Sequence, residues 1–185
     1  MTTALLVMDF QNGIVDRLDG SSALDNAVTA ADAARAAGIP VVFVRVAFRP
    51  GHPEIASANL GFGRLADAAG DTMTESAHGT QIHPALGPRA DEPIVTKRRV
   101  SAFSGSDLEV LLRGLGADHL VLAGISTSGV VLSTLRQAAD LDHRITVLAD
   151  ACADRRHDVH ELLLEAVFPS QAAVTTTADW VASLT

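Results

Sequence analysis

Cysteine is nearly absent: Cys152 stands alone among 185 residues. No internal disulfide can form, and a reducing, cytoplasmic setting is expected. No apolar run approaches the roughly 20 residues that a membrane-spanning helix needs. Met1–Thr3 leads straight into a strand-like run, without the basic region and cleavage pattern of a secretory signal. Positive charge is in deficit. The net charge of −8 argues against nucleic acid or an anionic membrane as a partner. Lysine is scarcer still, since Lys97 is the only one among fourteen basic residues. A chain that otherwise uses the guanidinium has one compact, flexible ammonium, at a single place. Internal repeats, low-complexity tracts and interdomain linkers are also missing.

What is present is apolar residues, 48% of the chain, enough for a substantial core. The length predicts a single domain, residues 1–185, with room for one inserted excursion. The apolar runs Ala4–Met8, Val41–Val46, Pro93–Thr96, Leu120–Ala123, Arg144–Leu148 and Ala172–Thr175 read as strands buried on both faces. Between them lie helical patterns at Leu24–Ala37, Asp107–Leu115, from Val130 onward, Val159–Val167 and Thr177–Leu184. The helix at Asp107 is expected to be capped by Ser104 or Ser106. No hairpin signal joins adjacent strands. This alternation predicts a three-layer, doubly wound, Rossmann-like α/β fold with a mostly parallel sheet of about six strands. Residues 47–93 lose periodicity and gather Gly, Pro, Asn and His. They read as a loop-rich excursion over the site, with one short helix near Gly63–Ala69.

The chain is organised around His119–Ala139, HLVLAGISTSGVVLSTLRQAA. A buried strand ends at Gly124, a hydroxyl-rich turn follows, and a helix begins. Ligands of open α/β sheets bind at such carboxyl strand ends. Ser126, Thr127 or Ser128 is expected to cap the helix, whose first N–H groups offer an anion or oxyanion site. The same pattern also describes an ordinary strand-to-helix turn. Asp9 follows the first strand and Lys97 the third, so the topology brings a carboxylate and an ammonium to one sheet edge. Such a pair can move a proton, the ammonium stabilising and orienting the carboxylate. A plain structural ion pair is the other reading.

LLVMDFQNG, PIVTKRRVSAF, LVLAGISTSGVVLSTLRQAAD and VLADACAD, in this order over nearly the whole chain, resemble the isochorismatase-like (cysteine hydrolase) superfamily. The resemblance implies that Asp9 is the general acid/base and Lys97 its partner. The Ile125–Ser126 peptide would be the family's cis bond, with Ile125, Ser126 and Val130 shaping an oxyanion hole. The family's nucleophilic cysteine follows Gly-[Val/Ile]-x-Thr-x-x-Cys, which lands here on Val130, a vacated position. Cys152 reads as a small core residue. Isochorismatases in the superfamily hydrolyse a vinyl ether without the cysteine, the aspartate donating a proton, and that chemistry fits Asp9 and Lys97. Two alternatives stand beside it: a catalytically silent relative that binds a small molecule or a partner protein, and an amidase or N-carbamoyl hydrolase with a substitute nucleophile.

Phe10, Gln11, Arg49, His52, His83 and Thr127 are candidates for the substrate pocket. Nicotinamidases of the family often carry an Asp-x-His…His metal site after the second strand. Here Arg49 stands near the aspartate's place, and His52, Glu54, His78 and His83 show no metal spacing. A metal-free, cofactor-free site is expected. Arg98-Arg99 could bind a carboxylate or lie on the surface, and His157 with His160 reads as a solvated face. The expected partner is a small-molecule substrate, and the family's habit implies a homo-oligomer, dimer or tetramer.

Overall fold

The computed structural model describes residues 2–18 and 21–184; Met1, Asp19, Gly20 and Thr185 lie outside them. Strand β1 (Thr2–Met8) leads to a one-turn helix α1 (Asn12–Val15) and then to α2 (Ala23–Ala36) and β2 (Val41–Val46). The excursion carries α3 (Leu60–Ala69) and three short 3-10 turns before β3 (Ile94–Lys97). The second half runs α4 (Leu108–Leu115), β4 (Ala117–Ile125), α5 (Leu132–Asp140), β5 (Arg144–Ala153), α6 (His157–Leu162), β6 (Ala173–Thr175) and α7 (Thr177–Ala182). The six strands form one sheet in the order β3-β2-β1-β4-β5-β6, every pair parallel. Among the described residues no helix is long and apolar enough to cross a membrane.

The layers follow from side-chain alternation along the strands. In β1, Ala4, Leu6 and Met8 pack with Leu112, Leu135 and Ala138 of α4 and α5. Leu5 and Val7 face the other way, onto α2 and Trp180 of α7. The buried stripe of α2 is all alanine: Ala23, Ala27, Ala30, Ala31 and Ala34. Alanine favours the helix and lets it lie close to the sheet. Helix α4 ends at Gly116, whose φ of 64° is the left-handed C-cap that glycine supplies without strain. At its other end the N-cap is Asp107 rather than Ser104 or Ser106, and its side chain makes no capping bond; the Ser106 hydroxyl, one residue earlier, accepts from the Leu108 amide at 3.2 Å.

The sequence boundaries need correction in three places. Strand β5 does not stop before Cys152. A register shift between Leu122 and Gly124 lets pairing resume, with Cys152 opposite Gly124 inside the strand. The turn after β4 is not capped by a hydroxyl. It is a π-turn, Thr127–Val131, in which the Ser126 carbonyl accepts the Gly129 and Val131 amides, both at 3.2 Å. Finally, the four-residue helix α1 is too short to show periodicity and has no counterpart among the helical patterns of the sequence. It is held by the excursion: Asn12 donates to the His78 carbonyl at 3.0 Å, and a Cβ on Gly13 would lie 3.3 Å from Gly79 Cα. Only small residues permit that approach.

Candidate active site

The central strands place the charged pair. Asp9 is the first residue past β1, and its amide donates to the Val44 carbonyl at 2.8 Å, with φ of 60°. That left-handed backbone, which Asp tolerates better than most residues, turns its side chain onto the sheet edge. Lys97 ends β3, two strands away, and reaches across to it. Lys97 Nζ lies 2.9 Å from Asp9 Oδ2 and donates to the Arg99 carbonyl at 3.0 Å. Both side chains are almost wholly buried, at 2% and 7% exposure. Asp9 Oδ1 is buried and has no hydrogen-bond partner among the described residues. Burial pushes the Asp9 carboxyl up from the ordinary carboxylate value, and the Lys97 ammonium offsets only part of this. The pair therefore offers one oxygen tied to a cation and one unpartnered, on a carboxyl that holds its proton more readily than usual.

Asp9 and Lys97 line a cavity of about 260 Å³. One wall is the turn after β4: Ile125, Ser126, Gly129 and Val130. The Ile125–Ser126 peptide is cis. Ile14, Leu18, Val46, Phe62 and Val100 add apolar surface, and Arg17 and Arg155 complete the lining. Val130 is 2% exposed, so its side chain is buried against this wall. A larger cavity of about 540 Å³ shares Arg17, Leu18 and Arg155 with the first, and contains Cys152 and His160 but neither Asp9 nor Lys97.

The other proposed pocket residues lie outside the lining of the Asp9 cavity, each for a visible reason. Phe10 is fully buried in the core beneath α2. Gln11 is a clamp: its amide donates to the Val46 and Thr80 carbonyls at 2.9 and 3.0 Å, and its oxygen accepts the Val46 amide at 2.8 Å. Thr127 is buried, 2.7 Å from His160 Nδ1. His83 accepts the Ala85 amide at 3.3 Å and so caps a 3-10 turn. His52 packs edge-on against Phe48, with ring centroids 5.8 Å apart, beside a separate hollow. Arg49 is exposed and pairs with Glu54 at 2.6 Å. Arg98 is spent on Ala47, Glu75 and Glu54, and Arg99 donates to the Glu54 carbonyl at 2.6 Å. Both arginines thus brace the excursion. His157 does lie on a solvated face, paired with Glu161 at 3.0 Å, whereas His160 is bound to the turn. Among the described residues no three His, Cys, Asp or Glu gather to hold a metal ion.

Two features lie below what local sequence patterns can reveal. Ser128 donates from both amide and hydroxyl to Asp154 Oδ2, at 2.8 and 2.6 Å. Burial raises the Asp154 carboxyl, but these bonds outweigh it and hold the group below its usual value. The apolar lining residues Ile14 and Leu18 are spaced i, i+4, a signal present but too short to read. Cys152 is buried with no cavity contact to Asp9, and burial pushes its thiol up to about 12.

The isochorismatase domain model matches residues 3–179. An isochorismatase family protein of Escherichia coli O157:H7, itself uncharacterized, is 33% identical over 177 residues, 94% of this chain and 91% of that one. A ureidoacrylate amidohydrolase of Pseudomonas savastanoi pv. phaseolicola is 31% identical over 206 residues, covering 98% of this chain and 80% of that one. The solved structure of an isochorismatase family protein from Burkholderia thailandensis superposes with TM-score 0.87 at 32% identity, over 99% of this chain and 95% of that one.

Proposed function

Because the chain belongs to the isochorismatase family of hydrolases, we propose that it hydrolyses a small molecule by acid–base chemistry at Asp9 and Lys97, without a thiol. The observation that carries this reading is the buried 2.9 Å pair lining a cavity whose wall includes Val130 and contains no cysteine. Hydrolysis of a vinyl ether is the closest chemical model. Asp9 gives its proton to the terminal enol carbon, and the carbon bearing the ether oxygen becomes an oxocarbenium ion. Water adds to that carbon and returns a proton to Asp9. The resulting hemiketal collapses to a carbonyl compound and an alcohol. A carboxyl whose pKa is raised by burial is suited to the first step. The developing cation lies against an Asp9 that has become an anion, and Lys97 keeps that anion oriented.

Amide hydrolysis is a second reading, favoured by the amidohydrolase relative and by Ser126, whose residue lines the cavity. Among the described residues no base is bonded to the Ser126 hydroxyl, so it is less well equipped than the Asp9–Lys97 pair. Small vinyl ethers, amides and N-carbamoyl compounds screened with wild type and Asp9→Asn separate these readings. Turnover of vinyl ethers that disappears in Asp9→Asn supports the proposal. Turnover of amides alone, lost in Ser126→Ala, supports the second reading. Ligand binding with no turnover of any class overturns both.

A further inference from the structure

The π-turn that walls the Asp9 cavity is held from behind by the segment that follows β5. Thr127 Oγ1 lies 2.7 Å from Nδ1 of His160 in α6, 33 residues further on. Thr127 is fully buried, and its hydroxyl has no other partner among the described residues. Ser128 beside it gives amide and hydroxyl to Asp154 Oδ2, but on the exposed side of the turn, where water can replace that bond. The buried Thr127 hydroxyl has no such substitute and is left unpaired when the imidazole is removed. Thr127 is not in the cavity lining, whereas its neighbours Ser126, Gly129 and Val130 are. Those neighbours interlock. The Ser126 carbonyl takes the Gly129 and Val131 amides, and a Cβ on Gly129 would lie 2.5 Å from Ser126 Oγ. A shift of Thr127 therefore moves the wall as a unit.

We propose that His160 is a positioning residue for the Asp9 site, fixing through the Thr127 hydroxyl where the 126–130 wall stands against the acid. This rests on reading the Asp9 cavity as the substrate site. His160 lies outside the lining of that cavity and borders the larger one, so its influence passes through the hydroxyl and the turn. A reacting group or wall misplaced by about 1 Å can cost roughly 10²-fold in rate, which is why the neighbours that hold it matter. The bond uses the Nδ1 side of the ring. The carboxamide of an asparagine can imitate that side, and alanine cannot.

Amide hydrogen exchange of the full chain, followed by NMR, tests the proposal in wild type, Thr127→Val, His160→Ala, their double variant and His160→Asn. In each single loss variant the Gly129 and Val131 amides are expected to exchange about tenfold faster or more, beyond any change at Leu6 of β1. The double variant should exchange no faster than either single one, because both remove the same bond. His160→Asn should restore part of the protection. On a vinyl ether from the screen, kcat should fall about tenfold or more in the loss variants at nearly constant KM, and His160→Asn should regain part of it. The histidine variants carry the comparison alone if Thr127→Val does not fold. Effects that multiply in the double variant, acceleration matched at Leu6, or unchanged exchange overturns the proposal. So does His160→Asn no better than His160→Ala, or a loosened turn with undiminished kcat. The two readings fail separately. A turn loosened in this pattern, in a protein that turns over nothing, keeps the hold of His160 on the wall and removes the hydrolase. Turnover by a protein whose turn is indifferent to His160 does the reverse.

Discussion

At Val130 one apolar side chain stands in the cavity wall. The residue lines the cavity from within the π-turn that leads into α5, in the same lining as Asp9. A thiol placed there would feel the positive end of the turn and of α5, which favours the thiolate. Cys152 has the opposite environment, a buried strand position with its thiol pushed up to about 12. Val130→Cys is therefore expected to react with iodoacetamide at least tenfold faster than Cys152, read by mass spectrometry after brief alkylation. The two side chains are close in volume, so the exchange should cost roughly 1 kcal/mol or less. A new thiol that stays unlabelled while an exposed cysteine reacts would make Val130 core packing and nothing more. Lys97 allows a second test. Lys97→Met should abolish most turnover, and Lys97→Arg should not restore it, because a planar fork cannot occupy the ammonium's place between Asp9 Oδ2 and the Arg99 carbonyl.

Among the elements, the turn after β4 and the end of β1 are fitted against each other. A Cβ on Gly124 would lie 3.0 Å from Val131 Cγ2, 3.2 Å from the Met8 carbonyl and 3.3 Å from Met8 Cβ. Met8 immediately precedes Asp9, so the crowding reaches both the strand that carries the acid and the turn that carries Val130. Gly124→Ala is expected to destabilise the fold by about 1–3 kcal/mol in urea denaturation, and to lower any turnover beyond what its residual folded fraction explains. Unchanged stability would mean that the two elements can part without cost. The strands and the longer helices were legible because their apolar residues repeat at the period of the element, as in Val41–Val46 and the alanine stripe of α2. The turn itself was misread. Its hydroxyls looked like caps, but one carbonyl, that of Ser126, takes two amides, and Ser128 turns outward to Asp154. Asp154 lies 26 residues beyond Ser128, so no local pattern could reveal that bond.

For the whole molecule, the sheet order brings residues 9, 97 and 125–130 to one edge, which the alternation of strands and helices made legible. The cavity lining was not. Phe62 and Val100 reach it from the excursion and from the segment after β3, and Arg155 from beyond a strand that runs farther than its apolar run. Tertiary packing alone sets such neighbours. The same packing shapes the response to acid. His119 is held below its usual value chiefly by burial and then by Arg144, and it bonds Thr3 of β1 and Thr146 of β5. His160 is held low by burial and by His157. An imidazole depressed in the fold takes up protons more readily when unfolded. Its contribution is thus fully present above the unfolded value near 6.5 and is lost as pH falls through that value towards the lower folded one. Asp9 works in the other direction, since its raised carboxyl favours the fold at low pH and loses that advantage as pH rises through the folded value. The expected result is a fall in Tm between pH 7.5 and 5.5 that flattens in His119→Gln and His160→Gln. An identical slope in wild type and both variants would contradict it.

The single sulfhydryl of the chain gives the most direct measurement on the central claim. Cys152→Ala contains no thiol at all, and its site, opposite Gly124 in β5, lies outside the lining of the Asp9 cavity. Turnover of whichever vinyl ether the screen identifies should be compared in wild type, Cys152→Ala and Asp9→Asn at one pH. Cys152→Ala is expected to retain the wild-type rate within a factor of about two or three, while Asp9→Asn loses at least the roughly 10²–10⁴-fold that general acid catalysis contributes. A folded Cys152→Ala protein without activity, or an Asp9→Asn protein that keeps it, would contradict hydrolysis by an acid–base pair.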